Sequence, residues 1–88
     1  MIYRVPEHVH ARPLQDEVMI LDTRSNQYLG LNGTGAVVWS VLAGGGSTAA
    51  AVIELITHFE VPRETAEADV ARLLGELLQL DLITPSTP

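Results

Sequence analysis

A change of hydrophobic period at Asn32 constrains this chain more than any other feature. Before it, apolar residues fall in short runs bounded by charges and turn residues, as strands require. After it they recur at helical spacing. The chain is 88 residues long, enough for one hydrophobic core and no second. Strands followed by helices around one core make an α+β domain.

Glu17-Val18-Met19-Ile20-Leu21-Asp22 is the clearest strand, and Gln27-Tyr28-Leu29-Gly30-Leu31 reads as its return. Thr23-Arg24-Ser25-Asn26 between them has turn composition, which predicts a hairpin with a loop of about four residues. In the return strand Leu29 and Leu31 share one face, and Tyr28 and Gly30 the other. Val9 to Arg12 is a weaker strand, closed by Pro13. A first helix is expected over Gly35–Ala43, capped by Asn32 or Thr34, with Val38, Trp39 and Leu42 on its buried face. Gly44-Gly45-Gly46 stops it. A second helix starts at Ser47 or Thr48 and runs to about Phe59, with Val52, Ile53, Ile56 and Phe59 as its apolar stripe. Pro62 suits the first position of a third helix through about Leu80, burying Ala66, Val70, Leu73, Leu74 and Leu77. Residues 1–83 then form the single domain, and 84–88, Thr-Pro-Ser-Thr-Pro, trail as a disordered tail.

Charge and cysteine narrow the functional classes. Eleven acids face five arginines with no lysine, a formal net charge of −6. Duplex DNA and anionic membranes both call for a cationic face, so neither is an expected partner. The absence of cysteine excludes disulfides, thiolate metal sites and a cysteine nucleophile. No apolar run spans a bilayer and the first residues do not form a signal peptide, which suggests a cytoplasmic protein.

Catalytic constellations are weak. His8 and His10 alternate with Val9, and His58 lies far along the chain; the spacing is unspecific, and two polar residues on a solvent-facing strand explain it as well. Ser40 sits inside a helix with nothing like a nucleophile elbow around it. The Gly44–Gly46 run has no lysine to make a phosphate cradle, and reads as a helix-to-helix turn. Asp16-Glu17 and Glu64 with Glu67 read as solvated surface. No enzyme activity, metal or cofactor is expected. Trp39 reads as a core anchor.

The hairpin is what needs explaining. With two or three strands, at least one edge stays unpaired. Tyr28-Leu29-Gly30-Leu31 carries neither proline nor charge, the usual devices against strand addition. Either a helix covers that edge or it accepts a strand from another chain, a common way to bind an extended peptide. Gly30 inside the strand marks either a bulge or the close approach of another backbone.

Three segments together resemble the PqqD-like family: Ile20-Leu21-Asp22, then Tyr28-Leu29-Gly30-Leu31-Asn32-Gly33-Thr34-Gly35-Ala36-Val37-Val38-Trp39, then Asp69-Val70-Ala71-Arg72-Leu73-Leu74-Gly75-Glu76-Leu77. They cover nearly the whole chain in order. The family often has glycine before the final Leu82-Ile83; Asp81 stands there, a residue that tolerates the left-handed conformation of a helix stop.

The resemblance implies a winged helix-turn-helix, a small antiparallel three-stranded sheet packed on three helices, known as a RiPP recognition element. Such domains bind the leader of a ribosomally made precursor peptide. The leader adds as a strand to the third strand, in the groove beside the third helix, and the core peptide is presented to modifying enzymes. Stand-alone versions serve lasso peptide clusters with a leader peptidase and a macrolactam synthetase; others serve radical SAM enzymes. The short chain fits a stand-alone version. Carried onto these residues, the receiving strand is Gln27, Tyr28, Leu29, Gly30 and Leu31, and the helix wall is Asp69, Arg72, Leu73 and Glu76. An exposed helix face with an Asp69–Arg72 pair is the bland alternative for the wall. An open edge strand also allows a strand-paired homodimer. The competing class is a winged-helix DNA-binding protein, whose third helix would need more Arg or Lys than Arg63 and Arg72.

Overall fold

The structure, a computed structural model, describes residues 2–86. In chain order it contains β1 (Ile2–Arg4), β2 (Val9–Leu14), β3 (Glu17–Asp22), β4 (Gln27–Asn32), α1 (Thr34–Ala43), α2 (Thr48–His58), α3 (Arg63–Gln79) and β5 (Thr84–Ser86). The sheet β2-β3-β4 is antiparallel with β3 in the middle, and three helices follow it. The expected α+β architecture, a small three-stranded sheet followed by three helices, is what forms.

Turn chemistry sets the register. Gln15-Asp16 is a two-residue loop between Leu14 and Glu17, with Gln15 at φ 58°. Thr23–Asn26 is the four-residue loop expected between Asp22 and Gln27. Asp22 organises it twice over. Its carbonyl accepts from Asn26 N–H at 2.9 Å, and its Oδ1 accepts from Arg24 N–H at 2.9 Å. Asn26 takes the left-handed φ of 59° that asparagine tolerates.

One bond fixes the phase of the whole sheet. Thr23 N–H donates to the His8 carbonyl at 2.9 Å, one step beyond the Val9↔Asp22 pair. Antiparallel pairs alternate between exchanging bonds and not. His10↔Leu21 and Arg12↔Met19 are therefore bonded pairs, and Pro13↔Val18 is not. This corrects the expectation that Pro13 closes the first strand. β2 runs on through Pro13 to Leu14, because an edge strand at a non-bonded position loses no ladder bond to proline.

The helices differ from expectation in three places. Neither Asn32 nor Thr34 caps α1; Gly33 is its N-cap at φ 55°, with no side-chain cap. Ser47 does cap α2, accepting from Ala50 N–H at 3.1 Å. On α2 the buried residues are Ala51, Val52 and Leu55, while Ile53 is 55% exposed and Ile56 and Phe59 are half-buried. The small Ala51, fully buried, lets neighbouring elements close on that side of α2. Pro62 is the N-cap of α3, one residue earlier than expected.

Two helix stops share one geometry. At the end of α1, Gly46 N–H reaches the Val41 carbonyl (2.8 Å) and Gly45 N–H the Leu42 carbonyl (3.2 Å). Gly45 has φ +93°, and a Cβ on Gly46 would lie 2.6 Å from Val41 Cγ1, so both glycines are required. At the end of α3, Leu82 N–H reaches the Leu77 carbonyl (2.9 Å) and Asp81 N–H the Leu78 carbonyl (3.2 Å). Asp81 stands at φ 59°, the left-handed stop anticipated there.

That stop turns Leu82 and Ile83 into the core, where both are buried. The chain then pairs with its own beginning: Ile2↔Ser86, Tyr3↔Pro85 and Arg4↔Thr84. The disordered tail expected from Thr84 is thus corrected for Thr84–Ser86, which form β5; residues 87–88 lie outside the described residues, as does Met1. The short pairing is held because buried Tyr3 and Ile83 anchor its two sides. One core joins the inner sheet face (Val9, Val18, Ile20) to Trp39 and Leu42 of α1, Leu55 of α2 and Val70 and Leu77 of α3.

Candidate functional site

The phase of the sheet decides which backbone groups β4 offers. Val18↔Leu31, Ile20↔Leu29 and Asp22↔Gln27 are its bonded pairs with β3. Gln27, Leu29 and Leu31 therefore spend their amides inward. Tyr28, Gly30 and Asn32 turn theirs to the open edge, since β3 is the one strand paired with β4 among the described residues. Leu29 and Leu31 are half-buried against the core, while Tyr28 and Gly30 are exposed on the other face.

The α3 helix stands beside that edge. A recess of about 270 Å³ is lined by Gly30 and Leu31 on one side and by Asp69, Arg72, Leu73 and Glu76 on the other. Its floor lies where α1 begins. A Cβ on Gly35 would sit 3.5 Å from Leu31 Cδ2 and 3.9 Å from Leu73 Cδ2, ordinary contacts that show how closely the three elements meet. Leu73 is buried, and Arg72 Nη1 lies 3.4 Å from Asp69 Oδ1 on the exposed rim. The floor is apolar and the rim carries both charges.

A second recess of about 400 Å³ continues past the other end of β4, lined by Gln27, Tyr28 and Leu29 and by Gln79, Leu80 and Asp81 at the end of α3. The strand and helix thus run in opposite senses along one groove. Six of the nine residues singled out from the sequence meet at the first recess and three at the second. Sequence reasoning missed Asn32, Thr34, Gly35, Val38 and Leu55 in the first recess. In the second it missed Ile20, Asp22, Arg24, Ser25 and the Gln79–Leu82 turn. The turn composition at 23–26 and the helix stop at Asp81 were readable signals, but nothing local says that the two meet.

They meet through charge. Arg24 Nη2 lies 3.4 Å from Asp81 Oδ2, and Arg24 Nε lies 3.8 Å from Asp22 Oδ1. His8 Nε2 donates to the Asp81 carbonyl at 3.0 Å. Burial pushes the Asp22 carboxyl up. The hydrogen bond from the Arg24 amide, the Arg24 guanidinium, His8 and the Ser25 amide outweigh that and hold it below its ordinary value. These contacts tie the β3–β4 loop to the end of α3 and set the groove's width there.

The histidines do not converge. His8 lies before β2, His10 sits exposed on it, and His58 pairs with Glu54 at 2.9 Å. Among the described residues, no group of three His, Asp or Glu side chains is placed to hold a metal ion. No described helix is long and apolar enough to cross a membrane.

Against this geometry the comparisons with known proteins are specific. The family model described as coenzyme PQQ synthesis protein D (PqqD) matches residues 17–83. The structure of TbiB1 in complex with the TbiA(β) leader peptide superposes with a TM-score of 0.86 at 26% identity, covering 97% of this chain and 99% of that one. A lasso peptide synthetase B1 complexed with the leader peptide does so with a TM-score of 0.86 at 29% identity, covering 97% and 100%. None of the curated proteins matches the chain in sequence.

Proposed function

Because this chain belongs to the coenzyme PQQ synthesis protein D family, we propose that it captures the leader segment of a ribosomally made precursor peptide on β4 and presents the peptide to modifying enzymes, with no catalysis of its own. The observation that carries this reading is the β4 edge, with the amides of Tyr28, Gly30 and Asn32 turned outward beside the α3 wall. Backbone bonds to those three residues supply affinity. Every second leader side chain enters the groove, where Leu73 offers an apolar floor and Asp69, Arg72 and Glu76 a charged rim.

Both matched structures are named for their bound leader peptides, and one is named as a lasso peptide synthetase component. That favours lasso peptide biosynthesis, with a leader peptidase and a macrolactam synthetase as partners, over service to a radical SAM enzyme. DNA binding fits less well. Each arginine of α3 lies against an acid of the same helix, Arg63 with Glu67 at 3.9 Å and Arg72 with Asp69 at 3.4 Å. Without peptide, the same edge suits pairing with β4 of a second copy.

The test is fluorescence anisotropy with a labelled leader segment of any precursor peptide that the surrounding genes encode. Gly30→Pro removes an outward amide and places a ring where the incoming backbone runs, while the β3 ladder is untouched. Affinity should fall at least about tenfold with the far-ultraviolet circular dichroism unchanged. Equal affinity in the folded variant overturns the proposal.

A further inference from the structure

The three-stranded sheet has a second face that no helix among the described residues covers. An antiparallel sheet with one solvated face normally alternates apolar-in with polar-out. Here the outward positions form three cross-strand rows: His10–Leu21–Tyr28, Arg12–Met19–Gly30 and Leu14–Glu17–Asn32. Tyr28 is 72% exposed, Leu14 48% and Leu21 38%, so three of the six exposed large apolar residues among the described residues share this face. Gly30 adds to it by omission. A Cβ there would meet only the end of Met19, at 3.9 Å, so the fold itself does not require glycine. Its absence leaves Met19, an adaptable apolar side chain, open at the centre.

We propose that this face docks the enzyme that acts on the captured peptide, through an apolar patch carrying a carboxylate that meets Arg12. The proposal rests on the leader-capture reading. Two observations choose this occupant. Arg12 lies beside Met19 on the face and, like Arg4 at the distant β1–β5 pairing, has no ion pair among the described residues, whereas Arg24, Arg63 and Arg72 each have one in a chain of net charge −6. An acidic partner group completes it. The area is the second. Three strands about 4.8 Å apart, with six residues at about 3.3 Å each, cover roughly 300 Å². A stable dimer buries roughly 800 Å² of accessible surface per partner, well above this flat footprint, so the face suits a transient contact better than a permanent second copy.

The face is also continuous with the capture edge. A strand added to β4 puts alternate side chains next to Tyr28, Gly30 and Asn32, widening the patch from three strands to four. A partner seated there touches carrier and leader together, so it prefers the loaded carrier to the empty one.

Leu21→Asp and Arg12→Glu test this, because both side chains point away from the core and from the groove. Leader affinity is read by anisotropy, and function by how much carrier gives half-maximal cleavage of the precursor by its leader peptidase. Each variant should hold leader affinity within about twofold of wild type while raising that carrier concentration at least about tenfold. Arg12→Lys should recover most of the loss. Unchanged cleavage overturns the docking face. A parallel loss of leader affinity overturns it too, since the face would then belong to the capture site. A wild-type dimer that Leu21→Asp dissociates would assign the face to a second copy. Failure of the wild type to bind leader at all is a separate result, and defeats the capture reading itself.

Discussion

Along one margin of the sheet, β2 carries Pro13 at a non-bonded position, with exposed His10 and Arg12 nearby. Along the other, β4 presents Tyr28, Gly30 and Asn32 at the equivalent positions, with no proline and no charge from Gln27 to Asn32. Both are edge strands of six residues in one small sheet. One is blunted by the devices that stop strand addition, and the other is left able to accept a strand. The same chain therefore carries one blunted edge and one edge without such protection. The α3 wall stands beside the unprotected one.

The sharpest way to break the comparison is to put proline at the wrong phase. Leu29→Pro removes an amide bonded to Ile20 and a side chain packed on the core, and should cost about 3 kcal/mol or more in denaturant unfolding. Gly30→Pro should cost less than about 1 kcal/mol. Equal losses would mean that the assigned phase of the ladder is wrong. A smaller effect is expected at the opposite margin. Pro13→Val restores an outward amide to β2, and should leave stability within about 1 kcal/mol while introducing concentration-dependent self-association by sedimentation velocity. If that variant stays monomeric, the missing proline is not what distinguishes β4, and the α3 wall is. The smallest effect concerns Asp22 at the start of the β3–β4 loop, which touches the end of α3 through Arg24 and Asp81. Its folded-state pKa is depressed, so its stabilisation is complete above the ordinary aspartate value of about 3.9 and is lost as pH falls below it. The melting temperature should be level from neutrality to about pH 5, with an acid slope below about pH 4 that Asp22→Asn makes shallower. An unchanged slope would separate Asp22 from the loop's stability.

Much of this was legible because it is local. The Thr23–Asn26 turn, the stop at Asp81 and the burial of Trp39 depend on residues close in sequence, and composition identifies them. The strand and helix flanks of the groove were named from hydrophobic period together with the family resemblance. What stayed hidden depends on tertiary placement. Pro13 is a strand residue only because β2 is an edge, which no local pattern states. The buried face of α2 passes through Ala51 and Leu55 because neighbours close in on that side, while the equally apolar Ile53 faces out. The Arg24–Asp81 contact joins two turns far apart in the chain, so most of the second recess's lining was missed.

The clasp between Ile2–Arg4 and Thr84–Ser86 makes the first and last described strands share one fate. Loosening either end frees the other, and Tyr3 and Ile83 then lose their cover together. A stop codon placed after Ile83 would accordingly register first as protease sensitivity near the amino terminus, before any change reached β4.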